Sequence, residues 1–257
     1  MRYVIFIFFI FSSMLLLSSE SDSLFTQDQI SDMTIMFYQQ VNDTLAIRGS
    51  GTLLNYESRY FILTASHVAN KMTKTAKVLF RLPEDKPEIV DLLTVVGKND
   101  LDWKNHKIAD ISMIEVYPKD ERITNYFCEN SFPLNQINFY KTLVSREADL
   151  TFLGYPVIDL TGEHFSPLIF TGYLASGLIT QLRYDTQTKC NFFFLNIPSI
   201  QGCSGSGVFF SVKKKMYIGN KVTNLIGIVH GTKSDNTGGK LAAITPSYYV
   251  KDLLNEF

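Results

Sequence analysis

Gly202-Cys203-Ser204-Gly205-Ser206-Gly207 runs directly into the apolar stretch Val208-Phe209-Phe210. A serine between glycines at the mouth of a strand suits a nucleophile on a tight turn. Small neighbours let a substrate carbonyl approach, and they let backbone N–H groups converge on the oxyanion formed by attack. Such a serine needs a base, and the base needs a carboxylate to orient it. His67 follows the run Tyr60-Phe61-Ile62-Leu63-Thr64-Ala65-Ser66, which sets an imidazole at a strand end. Asp110 opens Asp110-Ile111-Ser112-Met113-Ile114, an acid at the mouth of another apolar strand. Singly, each of these is an ordinary turn, core or cap feature. Together they occur in the order His, Asp, Ser, with the first two in one half of the chain and the serine in the other. That arrangement describes acyl transfer to Ser204 at a junction between two strand-rich halves. Cys203 is a poorer nucleophile, because Gln201 stands where its turn would need a glycine.

The elements that must position these groups read as strands. Residues 34–39, 45–54, 60–64, 77–81, 111–116, 150–155, 168–180, 191–197, 207–212, 225–229 and 240–244 are rich in Val, Ile, Phe, Tyr and Thr. They are bounded by Gly, Asn, Asp, Ser or Pro. Many short strands at modest spacing argue for an all-β barrel or sandwich. Residues 117–147 are more polar and irregular and read as the connection between halves. A helix is expected only at the end, where Thr245-Pro246 precedes helically spaced Tyr248, Val250, Leu253 and Leu254.

With 257 residues, 46% hydrophobic and 19% charged, the chain can bury a sizeable core. A net charge of -1 excludes a strong nucleic-acid footprint. Lys213-Lys214-Lys215, between apolar runs, reads as a solvated hairpin turn. Arg2, an uncharged stretch over 3–17 and then small residues describe a secretory signal peptide over 1–21, short of the ~20 apolar residues of a membrane span; an uncleaved anchor is the alternative. Export would permit a disulfide, and Cys128 with Cys190 is the first pair to test; three reduced thiols are the alternative. No Cys/His metal spacing occurs.

Thr64-Ala65-Ser66-His67-Val68, Asp110-Ile111-Ser112-Met113 and Gly202-Cys203-Ser204-Gly205-Ser206 resemble, in order, the three motifs of trypsin/chymotrypsin-like serine peptidases. Leu153-Gly154-Tyr155-Pro156 and Gly177-Leu178-Ile179-Thr180 are similar to second-barrel strands of bacterial-type members, such as the HtrA and glutamyl-endopeptidase groups. Leu225-Ile226-Gly227-Ile228-Val229-His230-Gly231 resembles the strand that pairs with bound substrate. The resemblance spans residues 30–257. It implies two six-stranded antiparallel β-barrels (chymotrypsin-like) with a short C-terminal helix. The peptidase domain would cover 28–257: first barrel 30–117, connection 118–147, second barrel 148–244, helix 246–256. It also implies Ser204 as nucleophile, His67 as general base and acid, Asp110 as orienting carboxylate, and the N–H groups of Gly202 and Ser204 as oxyanion hole. No cofactor and no metal are implied. The partners would be protein or peptide substrates, with no nucleic acid and no membrane once the leader is removed, and the chain a secreted or periplasmic monomer.

Two departures bear on activation and specificity. Cys203 stands where trypsin-like zymogens carry the acid that pairs with a new N-terminus, so activation by N-terminal insertion is not expected. Pro198, at the pocket base, and Ser199 offer no acid for Arg or Lys. Pro198, Ser199, Gln201, His230, Gly231 and Thr232 are the substrate-binding candidates. His230 lies one residue later than the His that helps glutamyl endopeptidases bind acidic side chains. Strand alternation then turns it the other way, beneath the triad or hydrogen-bonded to it. His106 and His164 lie in polar stretches and are expected at the surface. The alternative function is a catalytically silent homologue acting as a binding or regulatory module. An α/β-hydrolase esterase is disfavoured, since Ser206 stands where the second glycine of its motif belongs and a strand follows.

Overall fold

The computed structural model describes residues 24–156, 164–211 and 222–257. The expected leader over 1–21 and the lysine turn at 213–215 lie outside the described residues. The β-rich runs form two sheets. The first has eight strands: β1 (Thr34–Gln40), β2 (Ala46–Tyr56), β3 (Arg59–Thr64), β4 (Lys77–Leu82), β5 (Lys86–Asp91), β6 (Lys104–Asn105), β7 (Ser112–Val116) and β8 (Phe132–Pro133). Its ladder runs β5-β4-β1-β2-β3-β7-β6, with β8 added parallel to β2. The second has seven strands: β9 (Leu150–Gly154), β10 (Leu168–Gly172), β11 (Ile179–Leu182), β12 (Lys189–Leu195), β13 (Gly207–Ser211), β14 (Thr223–Ser234) and β15 (Lys240–Pro246). Its order is β10-β9-β13-β14-β15-β12-β11, antiparallel throughout.

This is the expected all-β, two-sheet architecture, with strand counts of eight and seven instead of six and six. The added strands in the first sheet are the two-residue β6 and β8. The run expected as one strand over 168–180 divides into β10 and β11. The connection also holds more structure than its polarity suggested. A helix, Glu121–Glu129, is capped by the Asp120 side chain on the Arg122 N–H and buries Ile123 and Phe127, one turn apart. The C-terminal helix is a short 3-10 turn, Ser247–Tyr249, followed by Val250–Leu254.

The main core fills the first sheet with Phe37, Phe61, Ile62, Leu63 and Ile114. It continues across the junction to Leu153, Phe209 and Ile228 of the second. A second core of Leu150, Phe152, Phe193, Leu195, Val229 and Ile244 lies within the second sheet. The sheets also meet through hydrogen bonds between β2 and the Ser204 turn. The Ser50 N–H donates to the Ser204 carbonyl at 2.8 Å, the Ser50 hydroxyl to the Gly202 carbonyl at 2.8 Å, and the Gly207 N–H to Thr52 Oγ1 at 3.0 Å. Gly205 sits at this seam with φ +89°, and an added Cβ would lie 2.1 Å from both the Ser50 carbonyl oxygen and Thr64 Oγ1.

Gly205→Ala therefore combines backbone strain with overpacking and is expected to cost at least about 3 kcal/mol. Gly238→Ala, at φ +93° but facing open space, should cost only about 1–2 kcal/mol. Urea unfolding midpoints of the two variants test the difference; equal losses would remove the seam argument.

Candidate active site

Antiparallel pairing of β3 with β7 sets Thr64 opposite Ser112, so the end of one strand lies beside the start of the other. His67 follows the first and Asp110 precedes the second. A short helical turn, Ser66–Ala69, carries His67, and the Ser66 hydroxyl pins it to the Ile111 carbonyl at 2.8 Å. The His67 N–H donates to Asp110 Oδ1 at 2.9 Å, and His67 Nδ1 lies 2.6 Å from Asp110 Oδ2. A carboxylate only accepts, so Nδ1 carries the proton and Nε2 is left free to take one.

Asp110 is 0% exposed. Burial alone would disfavour its charge. Hydrogen bonds from His230 and His67, with their charge interactions, outweigh that and hold the carboxyl well below the ordinary carboxylate range. His230 is a second imidazole on the same oxygen: its Nδ1 is 2.5 Å from Asp110 Oδ2. It is buried, with its ring perpendicular to that of His67 and packed on Tyr184 and Phe192. A β-bulge between Val229 and Gly231 explains its direction. Val229 points into the second core, and the extra residue turns His230 toward the triad carboxylate as well.

The other groups at the carboxylate were not visible in the sequence. Arg183, 4% exposed, donates from Nη2 to Asp110 Oδ1 at 3.1 Å and to Asp185 Oδ2 at 2.6 Å. Tyr184 sets its ring 5.8 Å from that of His67. Both belong to the turn between β11 and β12, whose sequence Arg183-Tyr184-Asp185-Thr186-Gln187-Thr188 looks like any polar hairpin tip. The only local hint was an Arg and an Asp two residues apart.

Ser204 lies on a turn whose Gly202 has φ +103° and approaches the Tyr155 carbonyl too closely for a side chain. The N–H groups of Gly202 and Ser204 have no partner among the described residues. The Ser204 hydroxyl donates to the His230 carbonyl at 3.1 Å; among the described residues no bond joins it to His67. Both side chains line one cleft of about 510 Å³, together with residues 45–48, Val68, Lys71, Tyr184, Ser199, Ile200, Gln201, Gly202, Gly231 and Thr232.

Of the substrate-binding candidates, Ser199, Gln201, Gly231 and Thr232 line this cleft. Pro198 is exposed outside it, and the His230 side chain faces Asp110 instead. His164 is exposed as expected. His106 corrects its expectation: its side chain is 8% exposed, packed on Tyr249 and 3.1 Å from an Asp252 oxygen. All three cysteines are free, so the Cys128–Cys190 pair is not formed. Burial pushes the Cys203 thiol up to about 11, which removes it as a nucleophile near neutral pH. His67, Asp110 and His230 have ligand atoms within 4.8 Å of one another, but the two nitrogens sit at hydrogen-bond distance from one carboxylate oxygen and Arg183 adds a positive charge. The donor set is organised around protons.

Removing the guanidinium leaves Asp110 and Asp185 without their buried cation. Arg183→Met should lose about 3–5 kcal/mol of stability, read as a lowered denaturant midpoint. A change within about 0.5 kcal/mol would show the carboxylate to be held by the imidazoles alone.

No family model and no curated protein sequence matches the chain. Solved structures do. The Rv3671c protease from M. tuberculosis, in its active form, aligns with a TM-score of 0.54 at 14% identity, covering 89% of this chain and 82% of that one. The serine endoprotease from Yersinia pestis aligns with a TM-score of 0.52 at 16% identity, covering 91% and 67%. These similarities extend over most of the chain, which has the fold of trypsin-like serine proteases.

Proposed function

We propose that the chain is a secreted serine endopeptidase that hydrolyses peptide bonds through an acyl-enzyme on Ser204. The observation that carries this is the convergence of His67, oriented through Nδ1 by the ionised Asp110, and Ser204, beside two unengaged N–H groups, on one open cleft.

In this reading the Ser204 hydroxyl turns from the His230 carbonyl to His67 Nε2. Oγ attacks the scissile carbonyl carbon, its proton passes to Nε2, and the oxyanion accepts from the N–H groups of Gly202 and Ser204. Collapse expels the amine, which takes the proton from His67. Water then repeats the sequence with His67 as base, releasing the acid and restoring Ser204. Asp110 stays ionised and stabilises the imidazolium. No cofactor or metal has a step to perform. Protein or peptide substrates are the partners in this reading; nucleic acid and membrane are not part of it, and the chain acts as a secreted or periplasmic monomer. Export rests on the leader-like residues 1–21. Among the described residues no helix is long and apolar enough to cross a membrane.

One observation favours a silent binding module instead: the Ser204 hydroxyl is spent on a backbone carbonyl. Labelling with a fluorophosphonate separates the two. The protein should be labelled and Ser204→Ala should not, with turnover of a protein substrate falling by about 10⁴–10⁶-fold in the variant. Absent or equal labelling would leave the binding module.

A further inference from the structure

We infer that the pocket on the acyl side of Ser204 is closed one side chain deep by a Ser199–Thr232 hydroxyl bridge, so that the enzyme cleaves after small uncharged residues: glycine, alanine or serine. This rests on the assignment of Ser204 as nucleophile.

The direction of the substrate follows from the proton transfers. His67 protonates the leaving amine, so the leaving group lies toward His67, Val68, Lys71 and residues 45–48. The acyl residue lies on the other side of Ser204, between two segments of the cleft wall: residues 199–202, which lead into the turn, and Gly231 with Thr232, which follow the β14 bulge. Its side chain must enter between them.

Those two segments are tied together directly at that point. Ser199 Oγ lies 2.8 Å from Thr232 Oγ1, and the Thr232 hydroxyl donates to the Ser199 carbonyl. Behind the bridge, the Ala242 N–H donates to the Ile197 carbonyl at 2.7 Å, and Ala242 is the register partner of Thr232. The wall is thus closed twice in succession. Pro198, the residue expected at the pocket base, lies outside the cleft.

The chemistry of the floor excludes charged side chains as well. Thr232 spends its proton on the Ser199 carbonyl, and the Ser199 proton goes to Thr232 Oγ1. The bridge itself therefore offers an acidic side chain no free proton and a basic one no carboxylate, and a ring or long aliphatic chain meets it.

Peptidyl diphenyl phosphonates that differ only in the side chain beside phosphorus read this pocket, because Ser204 capture requires that side chain to be seated. In the wild-type protein the alanine analogue should capture Ser204 at least about tenfold faster than the phenylalanine, arginine or glutamate analogues. Thr232→Gly, which removes the bridge, should raise the phenylalanine rate at least about tenfold. A wild-type rate for phenylalanine, arginine or glutamate equal to or above that for alanine would overturn the inference. Fluorophosphonate labelling of the same samples, with the Ser204→Ala control, keeps the two questions apart. Labelling with the wrong phosphonate order sinks the closed pocket alone, whereas no labelling sinks the nucleophile and the pocket assignment with it.

Discussion

A carboxylate with no exposure to solvent is the constraint on which this site is built. Asp110 cannot remain ionised in a protein interior unless its oxygens are fully occupied, because an unpaired buried charge costs several kcal/mol. Here both oxygens accept twice: Oδ1 from the His67 N–H and Arg183, Oδ2 from the imidazoles of His67 and His230. The donors come from the turn after β3, the tip of the β11–β12 hairpin and the bulge of β14. Two of these belong to the second sheet, although Asp110 belongs to the first. The charge that orients the His67 imidazole therefore also helps dock the two sheets. The hydrogen bonds from β2 to the Ser204 turn complete the junction from the opposite direction.

The contact between His67 and Asp110 could be read from the chain because it depends on strand ends. An apolar run that stops at His67 and another that starts after Asp110 need only pair antiparallel to close a gap of 43 residues. Glycines 202 and 205 announce a turn that no other residue type accommodates. What could not be read is whatever depends on long-range docking. Arg183 is 73 residues from Asp110, and nothing in a polar hairpin tip says which carboxylate it will meet. Strand alternation gives the direction of His230 only up to the bulge, which is a property of the β14–β15 pairing. The pocket behaves likewise: Ser199 and Thr232 could be named as candidates, but only the approach of the Ser204 turn to β14 sets their hydroxyls in contact. Secondary structure was missed where charge hid the pattern. β5 begins Lys86-Pro87-Glu88 and lies at the end of its sheet, where a charged and proline-bearing strand is tolerated.

The charges around Asp110 also bear on the chemistry. Two carboxylates, Asp110 and Asp185, share one guanidinium, so these three groups together carry one net negative charge. On the proposed reaction path, the proton that Ser204 gives to His67 sets a positive charge beside that negative one. The oxyanion keeps the charge that this proton left behind, so the net charge of the site is unchanged and the part of the cluster is to stabilise the imidazolium. A second carboxylate without Arg183 would instead raise the cost of the resting state, and Arg183 without Asp185 would oppose the imidazolium.

His230 joins the two ends of this arrangement. Its ring holds the Asp110 carboxylate and its carbonyl holds the Ser204 hydroxyl. That carbonyl lies on β14, along the edge that resembles a substrate-pairing strand. On the proposed reaction path, a substrate N–H that takes the His230 carbonyl displaces the Ser204 hydroxyl, which then turns to His67 Nε2. The resting hydrogen bond and the catalytic one are exclusive, because the hydroxyl has a single proton to donate. Occupation of the strand edge and activation of the serine would accordingly be one event. The bulge that turns His230 inward is the local irregularity that makes both contacts available to a single residue.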